Sequence, residues 1–248
     1  MITLIAAVPF ETEQLRRTLS PWEVLNFGGY DLYLCSLAGR HIGLLHCGVG
    51  KANSAAAATA LIAARKPQMI ISIGCGGAYP GSHLAPGDLT LATMEIYGDE
   101  GVLSPEGFLD MEDIGFPLVR KGGIRYFNQF PVNRQLVEKA TPILASTASA
   151  SGRRLETGPF VTVSTCSGTL AAGKLMAERT GGICENMEGA AIAHICQMHN
   201  TPFLEIRGIS NFVEDRDLSR WDLRAATTIA QQGALDLLEN WDERNISA

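Results

Sequence analysis

Short apolar runs alternate with amphipathic segments along the whole chain. The runs at 2–7, 31–37, 42–46, 69–73, 89–94, 160–164 and 203–207 have strand length and strand composition. Segments 11–19, 52–65, 132–145, 169–180, 187–199 and 222–240 repeat their apolar positions at helical spacing. Ala38-Gly39-Arg40-His41 is a short link between two of the runs and predicts a hairpin. From residue 69 onward strands and helices alternate, which favours crossover connections and a largely parallel sheet. The stretch 98–130 is rich in Gly, Pro and acidic residues and has little periodicity, so it reads as an irregular insertion over one face. No internal repeat or low-complexity linker divides the chain. The pattern predicts one α/β domain over 1–248, with a central mixed β-sheet flanked by helices.

Composition narrows the function classes. Of 248 residues 46% are apolar, enough for a sizeable core. The formal net charge is −6, with no Lys/Arg run, which argues against nucleic acid or an anionic membrane surface as partner. The chain opens directly on Ile2-Thr3-Leu4-Ile5-Ala6-Ala7 without a basic leader, and its longest apolar stretches are too short or too Ala-rich to span a bilayer. Cys35, Cys47, Cys75, Cys166, Cys184 and Cys196 show no CxxC or metal-ligand spacing and read as reduced thiols. Cytoplasm is the expected compartment. The histidines at 41, 46, 83, 194 and 199 read as structural or surface residues, and Trp22, Trp221 and Trp241 as packing residues.

Candidate chemistry sits where strands are expected to end. Arg207-Gly208-Ile209-Ser210-Asn211 follows the strand 203–207, and Glu185-Asn186-Met187-Glu188-Gly189 opens a helix. Glu188 and Asn211 can therefore meet at the carboxyl edge of the sheet, where open α/β folds bind small ligands. Val8-Pro9-Phe10-Glu11-Thr12-Glu13 has the marks of a helix start, yet Glu11 is also placed to act as a general base on water. Glu13 is its alternate. Gly74-Cys75-Gly76-Gly77 after a buried run is either a turn or a side-chain-free surface for a flat ring. Gly48-Val49-Gly50-Lys51 favours a tight strand-to-helix turn. Cys75 has no evident activator and is not expected to be a nucleophile.

Taken in order, six segments resemble the purine nucleoside phosphorylase and nucleosidase superfamily. They are the acidic turn at 9–13, Gly48-Val49-Gly50-Lys51, Gly74-Cys75-Gly76-Gly77, Leu84-Ala85-Pro86-Gly87-Asp88, Asn186-Met187-Glu188-Gly189-Ala190 and Arg207-Gly208-Ile209-Ser210-Asn211. The resemblance covers nearly the whole chain. It implies cleavage of a nucleoside N-glycosidic bond with no metal or organic cofactor, a purine nucleoside as the partner molecule, and a homo-oligomer. Tyr97–Val102, Glu185–Ala191 and Ser210-Asn211 look most like the futalosine hydrolase family, with the methylthioadenosine/S-adenosylhomocysteine (or aminodeoxyfutalosine) nucleosidases, or a phosphate-dependent purine nucleoside phosphorylase, as the alternatives. The resemblance assigns Glu11 and Asn211 to catalysis. It assigns Cys75, Gly76, Gly77, Asn186, Met187, Glu188 and Ser210 to substrate binding, with Glu188 on the ribose hydroxyls.

One departure has chemical content. Asn211 stands where the adenine-releasing nucleosidases carry an Asp. An Asn NH2 can donate to a 6-oxo group, whereas an ionised carboxylate only accepts and suits a 6-amino group. The resemblance therefore implies a 6-oxopurine. The insertion, with Phe108, Arg120, Arg125, Tyr126 and Phe127, is a candidate place for the substituent on the sugar's 5′ carbon. A carboxylate at Glu11 also repels phosphate, which favours water over phosphate as nucleophile.

Overall fold

The computed structural model describes residues 1–241; residues 242–248, which the single-domain reading includes, lie outside the described residues. Fourteen strands run in chain order: β1 Ile2–Ala6, β2 Glu23–Phe27, β3 Tyr30–Leu37, β4 Arg40–His46, β5 Met69–Ala78, β6 Leu89–Tyr97, β7 Gly101–Ser104, β8 Gly107–Asp110, β9 Val119–Lys121, β10 Ile124–Tyr126, β11 Gln129–Pro131, β12 Leu155–Thr162, β13 Cys184–Asn186 and β14 Phe203–Phe212. Among the described residues six α-helices flank them: α1 Glu13–Leu19, α2 Lys51–Arg65, α3 Arg134–Ala150, α4 Leu170–Thr180, α5 Gly189–His199 and α6 Leu223–Asn240. A 3-10 turn at Pro9–Thr12 precedes α1.

Ten strands form one mixed sheet in the order β11-β6-β12-β13-β5-β1-β4-β3-β2, with β14 bonded to both β5 and β6. Following the pairings from β5 through β14, β6, β12 and β13 leads back to β5, so part of the sheet closes on itself. β1 is buried at every position and lies inside the sheet, between β4 and β5. In α2 the buried Ser54, Ala57, Ala58, Leu61 and Ile62 form a stripe at helical spacing, and α2 packs against α5.

Several boundaries differ from the sequence expectation. β5 and β14 run past 73 and 207 to Ala78 and Phe212, so the Gly-rich segment read as either a turn or a flat surface, and the island after 207, are strand. They pair with each other over that length, which satisfies the backbone of a Gly-rich segment that shows no apolar run. The insertion is not irregular. It folds as the hairpins β7–β8 and β9–β10, and β11 then joins the main sheet against β6. Strand β2 has no counterpart in the predicted list, because an edge strand exposed along much of its length lacks an apolar run. Helix α3 passes Pro142 and continues to Ala150. The link at Ala38-Gly39 is a hairpin turn with both φ values positive, 50° and 77°.

Candidate active site

A cavity of about 240 Å³ opens where β1, β5, β13 and β14 present their carboxyl ends. The 3-10 turn puts Glu11 on one wall, and β5 supplies Cys75, Gly76 and Gly77. Asn186 and Met187 leave β13, and Glu188 stands at the N-cap of α5. β14 contributes Arg207, Ser210 and Asn211. All nine residues singled out in the sequence therefore line one space, although they are spread over 200 positions from 11 to 211. Glu13, the alternate to Glu11, lies outside it in an exposed ion pair with Arg17.

Glu11 is buried at 5% exposure and is held by backbone donors. Ala7 N–H (3.0 Å) and Val8 N–H (3.2 Å) donate to Oε2, and Cys75 N–H (3.0 Å) donates to Oε1. The Cys75 thiol also points at Oε1, at 3.4 Å. Gly74 is needed for this approach: a Cβ there would stand 2.5 Å from Glu11 Oε1 and 2.6 Å from Arg207 Nη1. The glycines of β5 thus serve close packing of side chains over the strand rather than a turn. Burial, with Glu11 next, pushes the Cys75 thiol up to about 12, so it stays protonated at neutral pH.

Glu188 accepts from Gly50 N–H at 2.9 Å through Oε1 and faces Arg207 Nη2 at 3.3 Å through Oε2. Gly50 has φ 95°, so the turn expected at 48–51 is real and also delivers a donor to the site. Asn186 Oδ1 accepts from the N–H groups of Glu188 (2.9 Å) and Gly189 (2.8 Å), which fixes the start of α5. Its Nδ2 has no partner among the described residues. Met187 is half-buried between these polar groups and gives the cavity an apolar face.

Asn211 owes its position to a β-bulge: the pairing of β14 with β5 skips Ser210, between Ile209 and Asn211. The extra residue lets two consecutive side chains reach the same cavity. Asn211 Nδ2 donates to Phe212 O at 2.9 Å, and that carbonyl can only accept, so the amide orientation is set. Oδ1 then faces Ser210 Oγ at 2.7 Å. One Asn211 N–H remains for a ligand.

Arg207, Glu185, Trp221 and Arg216 matter here, although the sequence assigned none of them to catalysis or substrate binding. Arg207, 2% exposed, gives Nε to Glu205 at 2.7 Å and Nη1 to Cys75 O at 3.1 Å. Burial disfavours its charge, but Glu205, Glu188 and Glu11 outweigh that cost and keep it a cation. The signal was two charged residues, 205 and 207, on one face of an otherwise apolar strand. Glu185 accepts from Tyr79 Oη (2.8 Å) and from Ser167 N–H and Oγ (2.9 and 2.7 Å), so it buttresses the wall rather than simply opening a helix. Trp221 and Arg216 line the outer wall with Arg216 4.8 Å over the indole, while Trp22 is 56% exposed, so only Trp241 packs as expected. Phe108, Arg120, Arg125, Tyr126 and Phe127 of the insertion do not line the cavity. Phe108 instead lies under Arg179, and Tyr126 stacks on Phe130.

Among the described residues no group of three or more His, Cys, Asp or Glu side chains is placed to hold a metal ion, and no helix is long and apolar enough to cross a membrane. All six cysteines are free thiols.

Comparison with known proteins places this arrangement. Residues 1–240 match the sequence profile of the Phosphorylase superfamily. A futalosine hydrolase of Streptomyces coelicolor is 33% identical over 208 residues, 80% of each chain. A 5′-methylthioadenosine/S-adenosylhomocysteine nucleosidase of Listeria innocua is 27% identical over 96% of this chain and 97% of that one. The fold matches the Neisseria meningitidis nucleosidase of the latter name, solved with methylthio-immucillin-A, at TM-score 0.82 and 22% identity over 97% and 99% of the two chains. It also matches the futalosine hydrolase of Helicobacter pylori at TM-score 0.80 and 16% identity, over 97% of each. With the match running from the first strand to the end of the last helix, this chain belongs to the phosphorylase superfamily.

Proposed function

We propose that the protein is a nucleosidase that hydrolyses the N-glycosidic bond of futalosine, releasing hypoxanthine, as a step of menaquinone biosynthesis. The observation that carries this reading is Asn211. Its amide orientation is set by Phe212 O, and it keeps one N–H unused beside the cavity that also holds Glu11 and Glu188. A donor there matches a 6-oxopurine, and the first relatives at over 30% identity are futalosine hydrolases.

In this mechanism Glu188 accepts hydrogen bonds from the 2′- and 3′-hydroxyls, its carboxylate steadied by Gly50 N–H and Arg207. Glu11 Oε1 accepts from Cys75 N–H and faces the Cys75 thiol, a weak donor at 3.4 Å that a water can displace, and takes a proton from that water as the oxygen attacks C1′. The C1′–N9 electron pair leaves with the purine through an oxocarbenium-like transition state, and the departing anion is met by the Asn211 N–H and takes a proton from solvent. Gly76 and Gly77 line the cavity and supply the backbone against which the flat base lies in this reading. Both cavity arginines are engaged, Arg207 by carboxylates and Arg216 by Trp221, and Glu11 occupies the wall where a phosphate would need a cation.

The alternative is an adenine-releasing nucleosidase of the methylthioadenosine type, which the Listeria relative and the fold neighbours favour. The reading also carries a homo-oligomer in the cytoplasm; Leu103 and Phe116, 84% and 66% exposed, are large apolar side chains suited to burial against another copy. The deciding experiment is chromatography of the products from futalosine, inosine and methylthioadenosine, with and without phosphate, in chelator-containing buffer. Hypoxanthine from futalosine without phosphate is the expected result. Strict dependence on phosphate or a divalent ion, or adenine release alone, overturns it.

A further inference from the structure

Behind the cavity the protein buries more acid than the proposed reaction uses. Glu95 on β6 and Glu205 on β14 are both 0% exposed. Glu205 Oε1 accepts from Arg207 Nε at 2.7 Å. Glu205 Oε2 and both oxygens of Glu95 have no partner in hydrogen-bond geometry among the described residues, although the Ser72 hydroxyl lies near Glu205. The two side chains converge on one point, since a Cβ built on Gly189 would collide with Oε2 of each. Glycine at the first turn of α5 is what makes room for them.

Charged and polar groups face this pair from several neighbouring elements. Arg207 shares β14, Glu188 stands at the start of α5, Ser72 lies on β5, Cys184 on β13 and Tyr97 on β6. Glu11 faces Arg207 from the 3-10 turn. Among the described residues Arg207 is thus the one cation facing four carboxyl groups: Glu11, Glu95, Glu188 and Glu205. Ionised carboxylates without donors in such a setting are too costly to persist, and the group takes up a proton instead. A single proton removes one of the two unsupported charges and links two of the three oxygens: an O–H on Glu95 donates to Glu205 Oε2, Glu205 Oε1 keeps its bond to Arg207, and the second Glu95 oxygen is left as a neutral carbonyl.

We propose that Glu95 and Glu205 share one proton as a carboxylic acid–carboxylate pair, and that this pair positions Arg207 and, through it, Glu188 and Glu11. The positioning role rests on the sugar- and water-facing roles proposed for Glu188 and Glu11; the shared proton does not. Burial raises both Glu95 and Glu205, and their mutual repulsion raises Glu95 further, whereas Arg207 opposes the shift. A folded-state value above the unfolded one contributes stability that is present below the ordinary carboxylate range and is lost as pH rises through the raised value.

The test uses Glu95→Gln, which mimics the protonated acid in shape and neutrality, beside Glu95→Ala. Infrared difference spectra at neutral pH are expected to show a protonated-carboxyl band in the wild type that Glu95→Gln lacks. The melting temperature of Glu95→Gln should exceed that of the wild type by a margin that grows with pH and closes toward acid. In kinetics, Glu95→Ala should lower kcat/KM roughly ten- to a hundredfold, the loss of a charge-assisted contact, and Glu95→Gln should recover most of it. Absence of the band, or parallel melting profiles, overturns the shared proton. Equal kinetic damage in Gln and Ala overturns its positioning role. If none of the proteins cleaves a nucleoside while band and melting difference are present, the proton pair stands and the substrate reading falls.

Discussion

Cys75 gives Glu11 two contacts on one oxygen, its backbone N–H at 3.0 Å and its thiol at 3.4 Å. The Gly-rich end of β5 is therefore the mould in which the proposed base is set. Two further backbone N–H groups hold the other oxygen, so the carboxylate is oriented before any substrate arrives.

Glu11→Gln is expected to lower kcat by roughly two to four orders of magnitude, the usual span for general acid–base catalysis. The amide NH2 must also face backbone donors on one side, so a loss of about 1–3 kcal/mol in stability should accompany it. Single-turnover kinetics and a melting curve separate the two effects. Turnover near wild type would leave Glu11 as a helix-start residue only.

Cys75→Ser should retain activity within about tenfold, because the raised thiol is not the nucleophile. Alkylation of Cys75 at pH 8 should be slow for the same reason, and peptide mass mapping after iodoacetamide measures it. Rapid modification of this cysteine with matching inactivation would contradict the assignment.

Glu188→Ala should weaken both binding and turnover on a ribonucleoside, since a carboxylate bridging two hydroxyls makes charge-assisted hydrogen bonds. It also leaves Gly50 N–H without its acceptor and removes one of the carboxylates facing Arg207. A 2′-deoxy substrate is the control. An equal loss on the deoxy form would show that Glu188 does not act through the 2′-hydroxyl.

Asn211→Asp tests the choice of base. The new carboxylate oxygen would face Phe212 O where the amide now donates at 2.9 Å, and two acceptors there repel. The side chain then either turns away or holds a proton. Activity on futalosine should fall, and the ratio of specificity constants should move toward its 6-amino analogue. A ratio that stays put, or moves the other way, removes the support for a 6-oxopurine.

The apolar runs and helical stripes determined the main layers of the fold. β1, β3 and β4, together with α2, α4, α5 and α6, lie within a few residues of their predicted places, because each buries a continuous run or stripe that one residue's neighbours announce. The polar islands likewise marked Glu11, Glu188 and Asn211, since acids and amides interrupting such runs are visible locally. What only the tertiary structure decided is how these islands meet. The extension of β5 through Gly74–Gly77 depends on its pairing with β14, and the bulge at Ser210 depends on that same register. The roles of Arg207, Glu205 and Glu95 depend on burial beside one another across β14 and β6. Strand pairing and charge pairing are long-range interactions: a side chain's environment is set by residues a hundred positions away, and no local pattern records it.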